Sequence, residues 1–335
     1  MSNIVNFKNS RIPFSESKVL QELESFTSME FIGEREFKPS NSQMLFSTCN
    51  QRVTSLIIHK SQLSSLPKSI ENLRKLKTLI LTFNHLKVFP ESILKLKSLV
   101  TLDLAGNSLS FIPYSIQSSK LLKTLYLGRN RISTLPESIY NLRSLEILDL
   151  SNNRLIDLPE SIYNLRLLKS LDLSCNRIYI LSKYIEKLHF LRELLLTRNE
   201  LERLPESVGN LQLLKILSLG SNELFLLPES IGNLKILQSL VLNGNNLTTL
   251  PNSIGSLKLL RFLYLYENKL LTLPDSIGGL ISLEELSLWK NKLISIPESI
   301  KNLRSLKELN LEFNNIRIFP KLIEDLRRRG VSVYI

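Results

Sequence analysis

Residues 135–157 read LPESIYNLRSLEILDLSNNRLID and residues 158–180 read LPESIYNLRLLKSLDLSCNRIYI; sixteen of the twenty-three positions are identical. The beat extends in both directions. Asparagine recurs every 23 residues from Asn84 to Asn314, and Ser61 stands one period earlier, giving twelve units over 53–328. Proline keeps the same period from Pro67 to Pro320 and is interrupted only at Ser182. A repeat array buries the apolar face of each unit on its neighbours, so 335 residues need not divide into two globular domains.

Each unit has the form L-x-x-L-x-L-x-x-N-x-L, as in Leu145, Leu148, Leu150, Asn153 and Leu155. The alternation Leu148-Asp149-Leu150 has the period of a strand with one buried face. The asparagine follows in a turn buried between neighbours, where its side chain supplies both a donor and an acceptor for a stacked ladder. Leu135-Pro136 closes that turn, because proline fixes φ and donates no hydrogen bond. Ile139, Leu142 and Leu145 then fall at the spacing of a short 3₁₀ or single α turn with one inward stripe. Ser119 in place of an inward leucine, and Ser182 in place of a proline, read as drift in the outer wall or as a hinge.

The unit LPxSIxNLxxLxxLxLxxNxL resembles the leucine-rich repeat family over about four-fifths of the chain. It is most similar to the intracellular 23-residue class of Ras-pathway scaffolds, plant intracellular proteins and stand-alone prokaryotic proteins. The resemblance implies an α/β solenoid: a right-handed superhelix with a parallel β-sheet on the concave face and short 3₁₀ or helical turns on the convex face. It also implies a protein partner on the concave face. A small GTPase or another signalling protein enters as a partner class through the resemblance only, since one fold hosts many partners.

The expected organisation is an N-terminal cap over 1–52, twelve repeats over 53–328 and a capping strand over 329–335. Within the cap, a helix is expected over about 16–27, with Ser15 as its N-cap and Val19, Leu20, Leu23 and Phe26 as its apolar stripe. Strand character is expected near 43–47. At the other end Val331, Val333 and Ile335 alternate after Gly330. The first residues lack the pattern of a secretory signal, no apolar run reaches a membrane span, and Cys49 and Cys175 are too few for a disulfide framework. The expectation is a cytoplasmic, monomeric protein.

The net charge is +12. On the expected concave face, the solvent side chains stand at −6, −4, −2, −1 and +1 from each asparagine. Those sixty positions hold nine basic and ten acidic residues, so nucleic acid is disfavoured there. The basic excess falls on the edges and outer wall, largely in a row ten residues before each asparagine that includes Arg74, Lys97, Arg166, Lys235 and Lys258. That row reads as a solvated face or as a surface for nucleic acid or anionic membrane.

Two clusters stand out on the concave face. Arg131, Arg154 and Arg177 occupy one column, and Asp149 and Asp172 another. Like charges on neighbouring strands are unfavourable, so the clusters read either as recent duplication or as complementarity to a charged partner. The second cluster is aromatic: Phe262, Tyr264 and Tyr266 on one strand and Trp289, the only tryptophan, on the next. Lys269, Lys290 and Lys292 rim it, and Phe313 lies one strand further. Exposed Tyr and Trp with a basic rim have the make-up of a binding hot spot. No phosphate loop, metal-ligand spacing or catalytic constellation is found, and His59 and His85 lie too far apart for one metal. The sequence therefore points to a non-catalytic scaffold without metal or cofactor, with the basic outer edge as its rival surface.

Overall fold

The computed structural model describes residues 4–32, 41–317 and 321–335; Pro320, last of the proline series, lies outside them. The chain divides into two compact units, Met1–Leu155 and Ile156–Ile335.

The first unit opens with an antiparallel hairpin, β1 (Ile4–Phe7) and β2 (Ser10–Pro13). Its turn residues Lys8 and Asn9 have φ of 50° and 69°, the left-handed pair a tight hairpin requires. Helix α1 (Phe14–Thr27) follows at once. Pro13 rather than Ser15 precedes it, and no side chain caps it. Val19, Leu20 and Leu23 are buried, while Phe26 in the last turn is exposed. Glu16, also fully buried, accepts hydrogen bonds from Arg52 Nε at 2.6 Å and Val53 N at 2.8 Å. That charge-assisted pair ties the helix to the sheet, where an unpaired buried carboxylate would be costly.

Strand β3 (Gln43–Cys49) pairs antiparallel with β4 (Arg52–His59). From β4 onward every neighbour is parallel: β5 (Thr78–Ile80), β6 (Thr101–Asp103), β7 (Thr124–Tyr126) and β8 (Ile147–Asp149). The second unit repeats the pattern with β9 (Ser170–Asp172), β10 (Glu193–Leu195), β11 (Ile216–Ser218) and β12 (Ser239–Val241). It continues with β13 (Phe262–Tyr264), β14 (Glu285–Ser287) and β15 (Glu308–Asn310), then α2 (Lys321–Arg328) and β16 (Ser332–Tyr334). Val331 and Val333 are buried, but β16 ends at Tyr334 and Ile335 is exposed, so the expected alternation stops one step early.

Opposite the strands run five-residue 3₁₀ turns such as Glu206–Asn210 and Glu229–Asn233, each preceded by proline in an extended conformation. At Ser182 the hydroxyl accepts from Tyr184 N at 3.3 Å and caps the turn in proline's place. The leucines between the two walls are almost all fully buried, each contributing about 1.5–3 kcal/mol of apolar transfer. Asparagine joins the repeats as expected. Asn222 Oδ1 accepts from Leu201 N at 3.0 Å, and its Nδ2 donates to Leu196 O at 2.9 Å in the preceding repeat and Leu219 O at 3.0 Å in its own. The same three bonds recur at Asn245, Asn268 and Asn291.

Candidate functional site

The chain must leave each short strand and reach its asparagine within a few residues, and it does so through a left-handed residue just before the asparagine. In the first unit these are Lys60, Phe83, Gly106, Arg129 and Asn152; in the second they are Cys175, Arg198, Ser221, Gly244, Glu267, Lys290 and Phe313, all with φ between 50° and 69°. Only two of the twelve are glycine. A bulky residue at positive φ is strained, so the asparagine bonds hold the turn against that strain. The outcome is a column of rigidly aimed side chains along the sheet. No glycine pattern in the sequence betrayed it.

In the second unit this column meets the aromatic cluster. Phe262 and Tyr264 stack with ring centroids 6.5 Å apart. Tyr266 meets Trp289 at 6.2 Å, and Trp289 meets Phe313 edge-on at 5.8 Å. Tyr266 and Trp289 are half-buried, and Phe313, held at φ 56°, is 73% exposed. The structure thus places all four expected aromatics and Phe313 in adjacent repeats, Phe262 and Tyr264 on β13 and the other three just past the ends of β13, β14 and β15. Lys290 lies 5.3 Å over the Trp289 ring and bonds Glu267 at 2.8 Å, while Lys269 and Lys292 are exposed at the margin.

Acidic residues complete the patch. Glu285 is directly paired with Glu308 on the next strand. The Tyr264 hydroxyl donates to Glu285 Oε2 at 2.7 Å. Burial, that bond, and the charges of Glu285 and Glu308 together push the Tyr264 hydroxyl up to about 12. Tyr334 pairs with Asn310 and so continues the Tyr264 column. Its 24-residue step from Asn310 breaks the period, which hid it from the repeat pattern.

The charged columns have a more local explanation. Asp149 Oδ1 accepts from Ser151 N at 2.8 Å, Asp172 Oδ1 from Ser174 N at 2.8 Å and Asp103 Oδ1 from Ala105 N at 2.9 Å. The aspartate caps the backbone as the strand ends, in an Asx-type turn. In the first unit Asp103, Tyr126 and Asp149 are successive partners in register. Burial and, secondarily, the charge of Asp149 push the Asp103 carboxyl up to about 6, against the opposing bond from Ala105 N. Arg131 and Arg154 in the first unit, and Arg177 in the second, are exposed.

Part of the basic outer row is also structural. Lys235 Nζ donates to Gly232 O at 2.6 Å, and Lys258 Nζ to Gly255 O and Gly279 O, both at 2.8 Å. Outside that row, Arg329 likewise donates to Lys301 O at 2.8 Å and Leu303 O at 2.9 Å. These cations satisfy carbonyls at the ends of the 3₁₀ turns, where positive charge is favourable. Among the described residues no group of three or more His, Cys, Asp or Glu is placed to hold a metal, and no helix is long and apolar enough to cross a membrane.

A family model described as leucine rich repeat matches residues 51–109 and 112–155, and one described as leucine-rich repeat region matches 206–328. The chain belongs to the leucine-rich repeat family. No protein with a curated description matches it in sequence. Among solved structures, a leucine-rich repeat protein of Leptospira interrogans is 31% identical, covering 81% of this chain and 86% of its own, with a TM-score of 0.49. The plant peptide hormone receptor RGFR1, in complex with RGF2, is 28% identical over 88% of this chain and 51% of its own, at a TM-score of 0.71. The Toll–Spätzle complex of Drosophila matches at 25% identity over 81% of this chain and 39% of that chain, at a TM-score of 0.73. The chain thus spans about half or less of the matched chains of these two complexes.

Proposed function

We propose that the protein is a non-catalytic interaction scaffold that binds a protein partner on the solvent face of the second unit's sheet. The observation that carries this is the edge-to-face run Tyr266–Trp289–Phe313, open to solvent on a surface whose leucine core is already filled from the other side. Aromatics held in the turns that follow the strands present large apolar area at little entropic cost, which is the make-up of interface anchors. Glu285 and Glu308 lie directly opposite each other, and a cation from the partner relieves their repulsion. The partner therefore offers an apolar group to Trp289 and Phe313 and a Lys or Arg to the glutamate pair. The complexes of the similar receptors with RGF2 and with Spätzle support a protein or peptide as the bound class. Two unpaired cysteines, Cys49 and Cys175, support a reducing compartment such as the cytoplasm.

Trp289, the only tryptophan, is a built-in probe. A partner captured from lysate, purified and titrated back, shifts the tryptophan emission and binds Tyr266→Ala/Phe313→Ala at least about tenfold more weakly. A purified partner that leaves the emission unchanged, or binds the double variant as well as wild type, overturns the reading.

A further inference from the structure

One exposed column remains without a role in the core or on the sheet face. Nine residues before each asparagine, five consecutive repeats of the second unit carry Leu167, Phe190, Leu213, Ile236 and Leu259. Leu167 is 46% exposed, Phe190 49%, Leu213 38% and Leu259 48%. The strands beside them are in strict parallel register with a 23-residue step, so these side chains form one ridge about 19 Å long at the usual strand spacing.

Both flanks of the ridge are basic. On the strand side, Lys169, Arg192, Lys215, Gln238 and Arg261 are joined backbone to backbone: Arg192 N donates to Lys169 O, Lys215 N to Arg192 O, Gln238 N to Lys215 O and Arg261 N to Gln238 O, at 2.8–2.9 Å. Lys169, Arg192 and Lys215 thus stand in three adjacent repeats, and Arg261 at the end of the row is paired with Glu284 at 2.6 Å. On the outer side, ten residues before each asparagine, stand Arg166, His189, Gln212, Lys235 and Lys258, three cations in five repeats, of which Lys235 and Lys258 also donate to turn carbonyls. The five segments 164–169, 187–192, 210–215, 233–238 and 256–261 contain no Asp or Glu. In the next repeat Ser282 ends the ridge and Glu284 ends the basic run.

We propose that this edge docks the protein on an anionic lipid bilayer, with the leucine ridge entering the headgroup–acyl boundary and the two cationic rows on lipid phosphates and carboxylates. An apolar stripe between cationic flanks is the composition of an interfacial membrane surface. A nucleic-acid backbone answers the charge but leaves the ridge in water. A second copy of the chain sets like charge against like. The sheet-face reading is independent of this one, because Tyr266, Trp289 and Phe313 are not part of the edge.

The test is co-sedimentation of the full chain with phosphatidylcholine vesicles containing about 30% phosphatidylserine, beside pure phosphatidylcholine vesicles, at about 0.1 M salt. Wild type is expected to sediment with the anionic vesicles only. Leu213→Gln/Leu259→Gln is expected to bind at least about tenfold more weakly with an unchanged melting temperature, since both side chains are exposed. Arg192→Glu/Lys215→Glu is expected to abolish binding, and Tyr266→Ala/Phe313→Ala to sediment as wild type. Wild type left in the supernatant overturns the proposal. So does a leucine variant that sediments as fully as wild type, which reduces the contact to net charge, or preferential capture by duplex DNA in competition.

Discussion

Tyr264 on β13 donates its hydroxyl to Oε2 of Glu285 on β14 at 2.7 Å, a diagonal contact, since the residue directly opposite Glu285 is Phe262. The bond holds one carboxylate of the Glu285–Glu308 pair in place and keeps the Tyr264 ring flat on Phe262, so the acidic and aromatic halves of the patch share one hinge-free support.

Tyr264→Phe removes only that donor. It should cost about 1 kcal/mol in denaturant unfolding, the usual worth of a hydrogen bond to a half-exposed charged acceptor. The hydroxyl ionises near 12 in the folded protein, above the ordinary 10. Its protonated form therefore favours the fold, a contribution present below pH 10 and lost as pH rises through 12. The absorbance difference between wild type and Tyr264→Phe during alkaline titration should centre near 12; a midpoint at 10 refutes the bond to Glu285.

Asp103 gives the acid-side counterpart. Its folded carboxyl titrates near 6 against an ordinary 3.8, because burial and Asp149 both disfavour its charge. A raised carboxyl pKa means that stability is greatest below the ordinary value and falls as pH rises from about 4 to about 6, by on the order of 3 kcal/mol. Asp103→Asn keeps the acceptor for Ala105 N and removes the charge. Urea midpoints for this variant should be higher than wild type at pH 7 and nearly equal at pH 4. A wild-type slope that persists in the variant assigns the titration elsewhere.

The left-handed column yields a prediction of opposite sign. Ser221 sits at φ 54°, where a side chain is strained and glycine is not. Ser221→Gly should therefore stabilise by about 0.5–1 kcal/mol, although glycine substitutions ordinarily destabilise. Thermal melting decides it, and a lower midpoint means the strain is already relieved in the wild type.

The period was legible because leucine, asparagine and proline carry their roles in their own chemistry. Leucines fill the space between the walls, asparagine bridges repeats and proline ends the turn. The left-handed turn was not legible, since Lys60, Phe83, Cys175 and Glu267 share no property that announces positive φ. The aromatic cluster was readable from spacing alone, because in-register parallel strands turn equal repeat positions into neighbours. Its acidic half needed coordinates, as did the role of the aspartates. In sequence Asp149 and Asp172 look like a charge column, and in space each spends its carboxylate on a backbone N–H two residues ahead. The hairpin β1–β2 went unread, as its four-residue strands carry no pattern of their own.

The asparagine ladder is where a single change should matter most. Asn222 is buried and makes four bonds to backbone groups of two repeats, the longest to Gly220 O at 3.4 Å. Asn222→Ala removes the acceptor of Leu201 N, whereas Leu196 O keeps the bond from Asn199 and Leu219 O the bond from Asn245. With one buried N–H orphaned and the carbonyl bonds thinned, the loss should be about 1–3 kcal/mol. Asn222→Asp retains the acceptor but turns a charge toward Leu196 O and Leu219 O, so it should not rescue. Unfolding by urea with near-equal stability for Asn222→Ala and wild type removes the ladder as a source of cohesion.

The outer wall makes a sharper steric demand. A Cβ built on Gly232 falls 2.5 Å from both the carbonyl oxygen and the Cβ of Ser253 in the next repeat, so the adjacent turns approach closer there than any side chain permits. The facing atoms are backbone and the root of a side chain, which cannot swing aside. Gly232→Ala should then force the two turns apart and cost about 1–3 kcal/mol, as overpacking does. The Ser221→Gly gain acts at a distant wall of the same repeat, so the two effects should add in the double variant within about 0.5 kcal/mol. A neutral Gly232→Ala means the turns part freely, and the outer wall then contributes little to holding repeats in register.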